Sequence, residues 1–481
     1  MISLPILGAG ESGIGTALLG AAYGYVPFVS DGGAVRADRK AELEAAGIAF
    51  EEGGHDVARL IAAGQEAGFA VKSPGIKEDA PAVVALRAAG VAVVSEIEFA
   101  SRFAGAGHTV AITGSNGKTT TTALVAALLR GAGLETACVG NIGRSWARDL
   151  AARRAEGRPP APYSSVEVSS FQLDGLDSFR PEVAILLNIT PDHLDRYGYD
   201  LGRYADSKWR ITAYQTPDDV LVLNADDALS LERWAGGVVA DGTAAERGTR
   251  ARVVALSSER TVDDVRAGLA ARGLEPWGVG GLAPSHLEFI LEIPDRPFAM
   301  TIQELALQGK HNVYNSMAAS VAARVLELRK EGIRESLQRF DAIEHRMEFV
   351  QEVNRIRFIN DSKATNVNSA WYALESVPGP IVWIAGGVDK GNDYTPLLHL
   401  VEEKVSHLIC LGADNAKLIS TFGPLVGHVS EVRSAADAVA QAYAWGTPGS
   451  TVLLSPACAS FDLFGSYEER GTAFKAAVRA L

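Results

Sequence analysis

No stretch of the 481 residues stays apolar long enough to cross a bilayer. The opening MISLPILGAG has neither the basic start nor the long apolar segment of an export signal. The chain is therefore expected in the cytoplasm, without membrane insertion. Cysteine is scarce. Cys138, Cys410 and Cys458 stand far apart without metal-ligand spacing, which suits a reducing compartment rather than a disulfide framework. Basic charge is also in short supply. With 45 Lys and Arg against 58 Asp and Glu the net charge is −13, which argues against a nucleic-acid partner, because binding a phosphate backbone needs a clustered basic face. Small anionic ligands stay open, since a few lysines and helix N-termini suffice for them. Internal repeats are not evident, and nothing points to a particular protein partner.

At roughly 150 residues per domain the length suggests three domains. Three regions of alternating strand and helix patterns are present, which predicts an α/β fold with mostly parallel sheets. The first region, 1–97, opens with ISLPIL, the turn Gly8-Ala9-Gly10-Glu11-Ser12-Gly13, an alanine-rich helix and the strand YVPFVS beside Asp31. This is G-x-G-x-x-G with an acidic residue about twenty positions on, a Rossmann-like βαβ unit whose first turn offers backbone donors to a diphosphate. NAD satisfies it, and so does any other nucleotide diphosphate. Ser73-Pro74-Gly75, after the apolar FAV, reads as another strand-end turn of the same sheet.

The second region, 98–342, contains the predicted strands HTVAIT, SVEVS, VAILLN and VLVLN, and a helix of about three turns closed by Gly131 and Gly133. RRAEGRPPAP reads as a surface loop, residues 240–284 as a polar insertion with one helix, and NSMAASVAARVLELRKEG as the closing helix. The third region, 343–481, alternates the strands IRFIN, IVWIAG, HLICLG and TVLLS with helices such as SAADAVAQAYAW and EERGTAFKAAVRAL, a second Rossmann-like pattern.

The turn GSNGKTTTT, between HTVAIT and a helix, is the most informative feature. Gly114, Ser115, Asn116 and Gly117 bring bare N–H groups to the positive end of a helix, an arrangement suited to a polyphosphate. Lys118 would reach the outer phosphates of ATP, Thr119 would hold magnesium, and Thr120 is expected among the ATP-binding residues of the same loop. The common P-loop spacing needs a glycine where Ile112 stands, so this loop is shorter. Three polar clusters end other strands. Glu167, in EVSSFQ, offers a carboxylate to the metal begun by Thr119. Asp192 and His193, in NITPDHLDR, sit beside Asp195 and Arg196, and a neutral imidazole there could bind a second ion. Asp361, Lys363 and Thr365, in NDSKATN, supply acceptors and a cation suited to ribose, phosphate or an amino-acid carboxylate.

TGSNGKTTT, EVSSFQL, NITPDHLDRY, KHNVYNSMAA, HRMEFV, NDSKATN and SPACASFD, in that order along nearly the whole chain, closely resemble the Mur ligases of peptidoglycan assembly. The resemblance implies three domains: 1–97 Rossmann-like and binding a UDP substrate, 98–342 a central P-loop ATPase, and 343–481 Rossmann-like and binding an amino acid. It also implies an ATP-dependent amide ligation with two magnesium ions. The substrates it implies are UDP-N-acetylmuramoyl-L-alanine and D-glutamate. The N-terminal turn would then hold UDP rather than NAD, through Gly10, Ser12, Gly13, Asp31 and Ser73, with Asn141 near the growing peptide.

Residue by residue, Lys118 and Thr119 match the family's phosphate and magnesium positions, Glu167 the carboxylate ligand, and His193 the ligand of the second ion. Lys208, in YADSKWRI, matches a lysine that the family carbamylates, which requires a neutral amine of lowered pKa. Asn312, Arg346 and Asp361 match ATP contacts. Lys363, Thr365, Lys390 and Ser460 match the glutamate set, completed by Asp192 and His193, and domain closure is expected to assemble the site. Tyr467 stands where the family carries a phenylalanine. Glu11 is a departure in the uridine turn, where a carboxylate near a diphosphate is unfavourable unless it points away. Other readings are a sister ligase for another amino acid, an NAD-dependent oxidoreductase built on Gly8, Gly10 and Gly13, and a nucleotide-binding regulator that hydrolyses ATP.

Overall fold

The computed structural model describes residues 2–141, 143–236, 248–340, 344–389 and 391–481. It consists of two compact units, Met1–Phe340 and Asp341–Leu481. The first unit holds two sheets. The smaller is wholly parallel, in the order Ala49–Glu52, Val26–Asp31, Ser3–Leu7, Phe69–Lys72, Ala92–Ser95. Its central strand is apolar because helices cover both faces of a parallel sheet. The glycine turn after it leads into the helix Glu11–Ala22, as the fingerprint predicts. Gly13 is required there: a Cβ would lie 1.8 Å from the Gly8 carbonyl oxygen, so only glycine lets the helix sit on its own turn.

The larger sheet runs Phe298–Thr301, Glu288–Glu292, Gly278–Leu282, Arg252–Thr261, Val220–Asn224, Val183–Leu186, His108–Thr113, Tyr163–Glu167, Thr136–Gly140. Seven strands are parallel, and the pair Glu288–Glu292 and Phe298–Thr301 extends the sheet antiparallel. From His108–Thr113 the chain winds first to one side and then, from Val183 on, to the other. The carboxyl end of His108–Thr113 therefore opens at a point of reversed winding, where open α/β sheets bind ligands.

Three readings of this region are corrected. The segment taken as a polar insertion builds the sheet: Arg252–Thr261 and Gly278–Leu282 are strands, with the helix Val262–Ala270 between them. Its apolar signal was only VVAL and a glycine-diluted GVGGL, and residues 240–247 lie outside the described residues. The closing helix is two, Lys310–Val325 and Lys330–Gln338, separated at Glu327 with φ +65°. The loop placed at Arg153 starts later, because the helix Trp146–Ala155 runs into it.

The second unit is one sheet, Glu348–Val353, Ile356–Asn360, Thr451–Leu454, Ile381–Ala385, Val405–Leu411, His428–Val432, parallel except for the first strand. The four predicted strands are its interior, and its two polar edge strands were not predicted. Among the described residues no helix is long and apolar enough to cross a membrane.

The two sheets of the first unit are joined through the short helix Glu96–Ser101. Glu98, fully buried, accepts from the N–H groups of Asp177, Ser178 and Phe179 at 2.9–3.0 Å. Burial pushes its carboxyl up, but these donors and the Ser178 hydroxyl more than offset that and hold it below the usual range. Glu96 is different. Its Oε1 accepts from Ala147 N at 2.6 Å at the start of the helix Trp146–Ala155, whereas Oε2 is buried without a hydrogen-bond partner among the described residues. Burial pushes this carboxyl up to about 7, against the Ala147 N–H and with the aid of the Glu11 charge.

A carboxyl that ionises later in the folded than in the unfolded chain stabilises fully below the ordinary glutamate value and loses that contribution as pH rises through 7. Glu96→Gln, which keeps the acceptor for Ala147, is expected to gain stability relative to the parent by about 3 kcal/mol between pH 5 and pH 8. Thermal unfolding at both pH values measures this, and a gap that does not change with pH refutes it.

Candidate active site

The phosphate loop is shaped by backbone that only glycine tolerates. Gly117 has φ +86°, and a Cβ there would lie 2.7 Å from the Asn315 Oδ1 on the neighbouring helix. The helix Lys118–Gly131 begins at once, so the first-turn N–H groups have no carbonyl ahead of them in the helix. Lys118 folds over its own loop, its Nζ donating to the carbonyls of Gly114 at 2.8 Å and Ser115 at 2.9 Å. Lys208 reaches the same Gly114 oxygen from another helix, also at 2.8 Å. Two lysine side chains thus meet on one carbonyl oxygen at the N-terminus of a helix, so close that each disfavours charge on the other.

Lys208 is 1% exposed and lies 4.5 Å over the Tyr204 ring. Burial, and then Lys118, hold its amine well below the usual lysine range, against the pull of Asp192, Asp174 and Glu167. Beside it, Thr119 Oγ1 donates to Glu167 Oε2 at 2.6 Å, and Asn141 Nδ2 donates to Glu167 Oε1 at 3.2 Å. A hydroxyl and a carboxylate brought together here are the hard oxygen donors that magnesium takes alongside phosphate and water. Among the described residues no three of His, Cys, Asp and Glu are grouped to hold a metal by themselves. The Thr119 hydroxyl and the Glu167 carboxylate together would fit an ion that also takes phosphate oxygens. Thr120 differs from Thr119: its hydroxyl is buried without a partner among the described residues, so it would serve a phosphate only through its backbone N–H.

The loop after Val183–Leu186 is tied to the phosphate loop at several points. Asn116 N donates to Asn188 Oδ1 at 2.9 Å, and the Ser115 hydroxyl donates to Thr190 O at 2.7 Å. His193 takes φ +51°, packs edge-on against Phe171 at 5.2 Å, and holds Nε2 3.7 Å from Asp192 Oδ1. Asn312 is farther along, with Nδ2 donating to Gln308 O, while Asn315 Nδ2 donates to Asn312 Oδ1 at 3.3 Å.

In the N-terminal turn, Asp31 accepts from Ala9 N at 2.7 Å and Gly33 N at 2.9 Å, one on each carboxylate oxygen. Ser73 Oγ donates to Gly8 O at 3.3 Å. Asp31 and Ser73 therefore brace the turn formed by Gly10, Ser12 and Gly13. Glu11 is drawn aside: Arg148 Nε donates to its Oε1 at 2.8 Å, and Arg39 lies 3.1 Å from Oε2. Its charge is neutralised by two arginines, which removes the objection to a carboxylate in this turn.

In the second unit, Asp361 is buried. It accepts from Ser455 Oγ at 2.8 Å and Met347 N at 3.2 Å, and burial pushes it up to about 7 against the Arg346 charge. Lys363 Nζ lies 5.4 Å over the Tyr467 ring, Thr365 N donates to Lys363 O, and Ser460 is buried after Thr451–Leu454. Lys390 lies outside the described residues.

Sequence reasoning missed Tyr204, Asn315 and Arg470. Tyr204 had a signal, since it stands four residues before Lys208 on the helix Leu201–Trp209 and so shares its face. Asn315 had one too, standing three residues after Asn312 on the helix Lys310–Val325, whereas Arg470 had none, because its acceptors come from distant segments.

Comparison with known proteins identifies the family. The Mur ligase middle domain matches residues 112–323, and the Mur ligase glutamate ligase domain matches residues 345–458. A UDP-N-acetylmuramoylalanine–D-glutamate ligase of Christiangramia forsetii is 44% identical over 476 residues, 99% of each chain. One from Bacteroides fragilis is 44% identical over 482 residues, 100% of each, and one from Chlorobaculum parvum 39% over 484, covering 100% of this chain and 98% of that one. Among solved structures, a UDP-N-acetylmuramate–alanine ligase from Thermotoga maritima aligns over 100% of both chains with TM-score 0.58 at 18% identity, a likeness of fold. With two family domains over most of its length and relatives that align from end to end, the chain belongs to the Mur ligase family.

Proposed function

We propose that this protein is an ATP-dependent ligase that joins D-glutamate to UDP-N-acetylmuramoyl-L-alanine, releasing ADP and phosphate, in the cytoplasmic synthesis of peptidoglycan precursors. The observation that carries this reading is the meeting of Lys118 and Lys208 on the Gly114 oxygen beside the Thr119–Glu167 pair. The substrates follow from the shared name of relatives that cover the whole chain. Residues 1–97 are assigned to the UDP substrate, 98–342 to ATP and 343–481 to the amino acid.

The chemical difficulty is that a carboxylate is a poor electrophile and repels a triphosphate. The alanyl carboxylate oxygen attacks the γ-phosphorus, and the bond to the β-phosphate oxygen breaks to release ADP. The glutamate amine then attacks the acyl carbon, loses a proton, and expels phosphate carrying one oxygen of the original acid. Lys118 lies over the phosphate loop and offsets charge on the transferring group, while the loop N–H groups hold the polyphosphate in line. Thr119 and Glu167 would hold one magnesium ion, and His193 with an anionic carbamate formed on Lys208 would hold a second; the two ions would supply further positive charge. Asn141, fixed by Glu167, borders the peptide end. Asn312, Arg346 and Asp361 serve ATP, and Lys363, Thr365, Lys390 and Ser460 serve glutamate, with Asp192 and His193.

Supplying UDP-N-acetylmuramoyl-L-alanine labelled with heavy oxygen in its carboxylate tests the route. One label is expected in the released phosphate, and its absence refutes the acyl phosphate. In the same assay D-glutamate is expected to yield product and L-glutamate little, and equal yields refute the assigned amino acid.

A further inference from the structure

The second unit contains a buried cation that none of these roles uses. Arg470, in the helix Tyr467–Arg479, is 1% exposed. Its Nε donates to Ser362 Oγ at 3.0 Å and its Nη2 to Ser362 O at 2.9 Å. Nη1 donates to Gly386 O at 3.3 Å, and Cys458 O accepts from both terminal nitrogens at 3.4 Å. These acceptors lie just past the carboxyl ends of Ile356–Asn360, Ile381–Ala385 and Thr451–Leu454, three adjacent strands. One guanidinium thus fastens three separate loops. The Ser362 hydroxyl also donates to Tyr467 O at 2.8 Å, which locks the helix start to the first of them.

Every acceptor is neutral. Asp462 and Asp361 act on the guanidinium only as charges, and burial pulls it down to about 10, which leaves it positive at neutral pH. A buried charge without a bonded counter-ion is costly, and the hydrogen bonds to neutral acceptors offset that cost only in part. Its position suggests what is gained. Ser362 is followed by Lys363 and Thr365, and Cys458 stands two residues before Ser460.

We infer that Arg470 is a positioning residue of the amino-acid subsite: its fork sets the spacing of the loops bearing Lys363, Thr365 and Ser460, and its charge favours a dicarboxylate there. This rests on the assignment of those loops to the amino acid. Lysine cannot replace it fully, because an ammonium has the charge but not a planar fork with five donors.

The test is steady-state kinetics of the full-length enzyme with Arg470→Met and Arg470→Lys. KM for D-glutamate is expected to rise about tenfold or more in Arg470→Met and less in Arg470→Lys, while KM for the UDP substrate stays within about twofold. Equal rises for both substrates, an unchanged KM for glutamate, or loss of folded protein in both variants overturns the inference and leaves Arg470 a purely structural residue. If the parent enzyme transfers another amino acid instead of glutamate, the proposed substrate fails, and the same KM split is read on that amino acid.

Discussion

Lys118→Ala is expected to lower the rate of ligation by about a hundredfold to a thousandfold, the usual loss when one preorganised charge is removed from a developing anion. The fold should survive. The lysine is only half buried, and the Gly114 carbonyl that it caps keeps Lys208 as a donor. The loop itself is set by Gly117 and by the Asn116–Asn188 bonds, which the substitution leaves in place. Phosphate release with all three substrates measures the rate, and thermal unfolding measures the fold. Near-normal turnover in a folded variant refutes the phosphate role. Because Lys118 also depresses the Lys208 amine, its loss should shift the behaviour of that residue too.

Lys208→Ala is expected to lose about a hundredfold or more in rate and to recover part of it with millimolar formate, acetate or propionate. The physical basis is the state of the amine. Carbon dioxide adds only to a neutral amine, and burial together with Lys118 favours the neutral form of Lys208. Replacing its side chain by a methyl group leaves a buried space beside Tyr204 and Gly114 that a small carboxylate can enter. Lys208→Met is the control, since it fills that space and should be as slow but not rescued. Rescue of neither variant, together with no labelled carbamate carbon after incubation of the parent with enriched bicarbonate, removes the assignment.

The parts of this protein that were legible beforehand are those whose determinants are local. ISLPIL, HTVAIT and IVWIAG are interior parallel strands, and an apolar run covered on both faces announces itself. Strands such as His428–Val432 and Glu348–Val353 alternate polar residues at sheet edges, and the stretch 252–282 dilutes its apolar positions with serine and glycine, so these did not stand out. The split of the last helix of the first unit at Glu327 was hidden because LELRKEG continues a good helical composition.

The same division holds for the chemistry. The phosphate loop was readable because glycine, lysine and threonine act within a few residues of one another, on backbone that their own types dictate. The family motifs, quoted in order, pointed to the ligase. What the chain's order could not express is convergence: Lys208 lies 90 residues after Lys118 yet shares a carbonyl with it. Glu11 finds Arg39 and Arg148. Arg470 collects carbonyls from three strand ends. Sheet order sets which strand ends become neighbours, and burial sets whether an amine there is charged or neutral. Those two quantities exist only once the chain has folded.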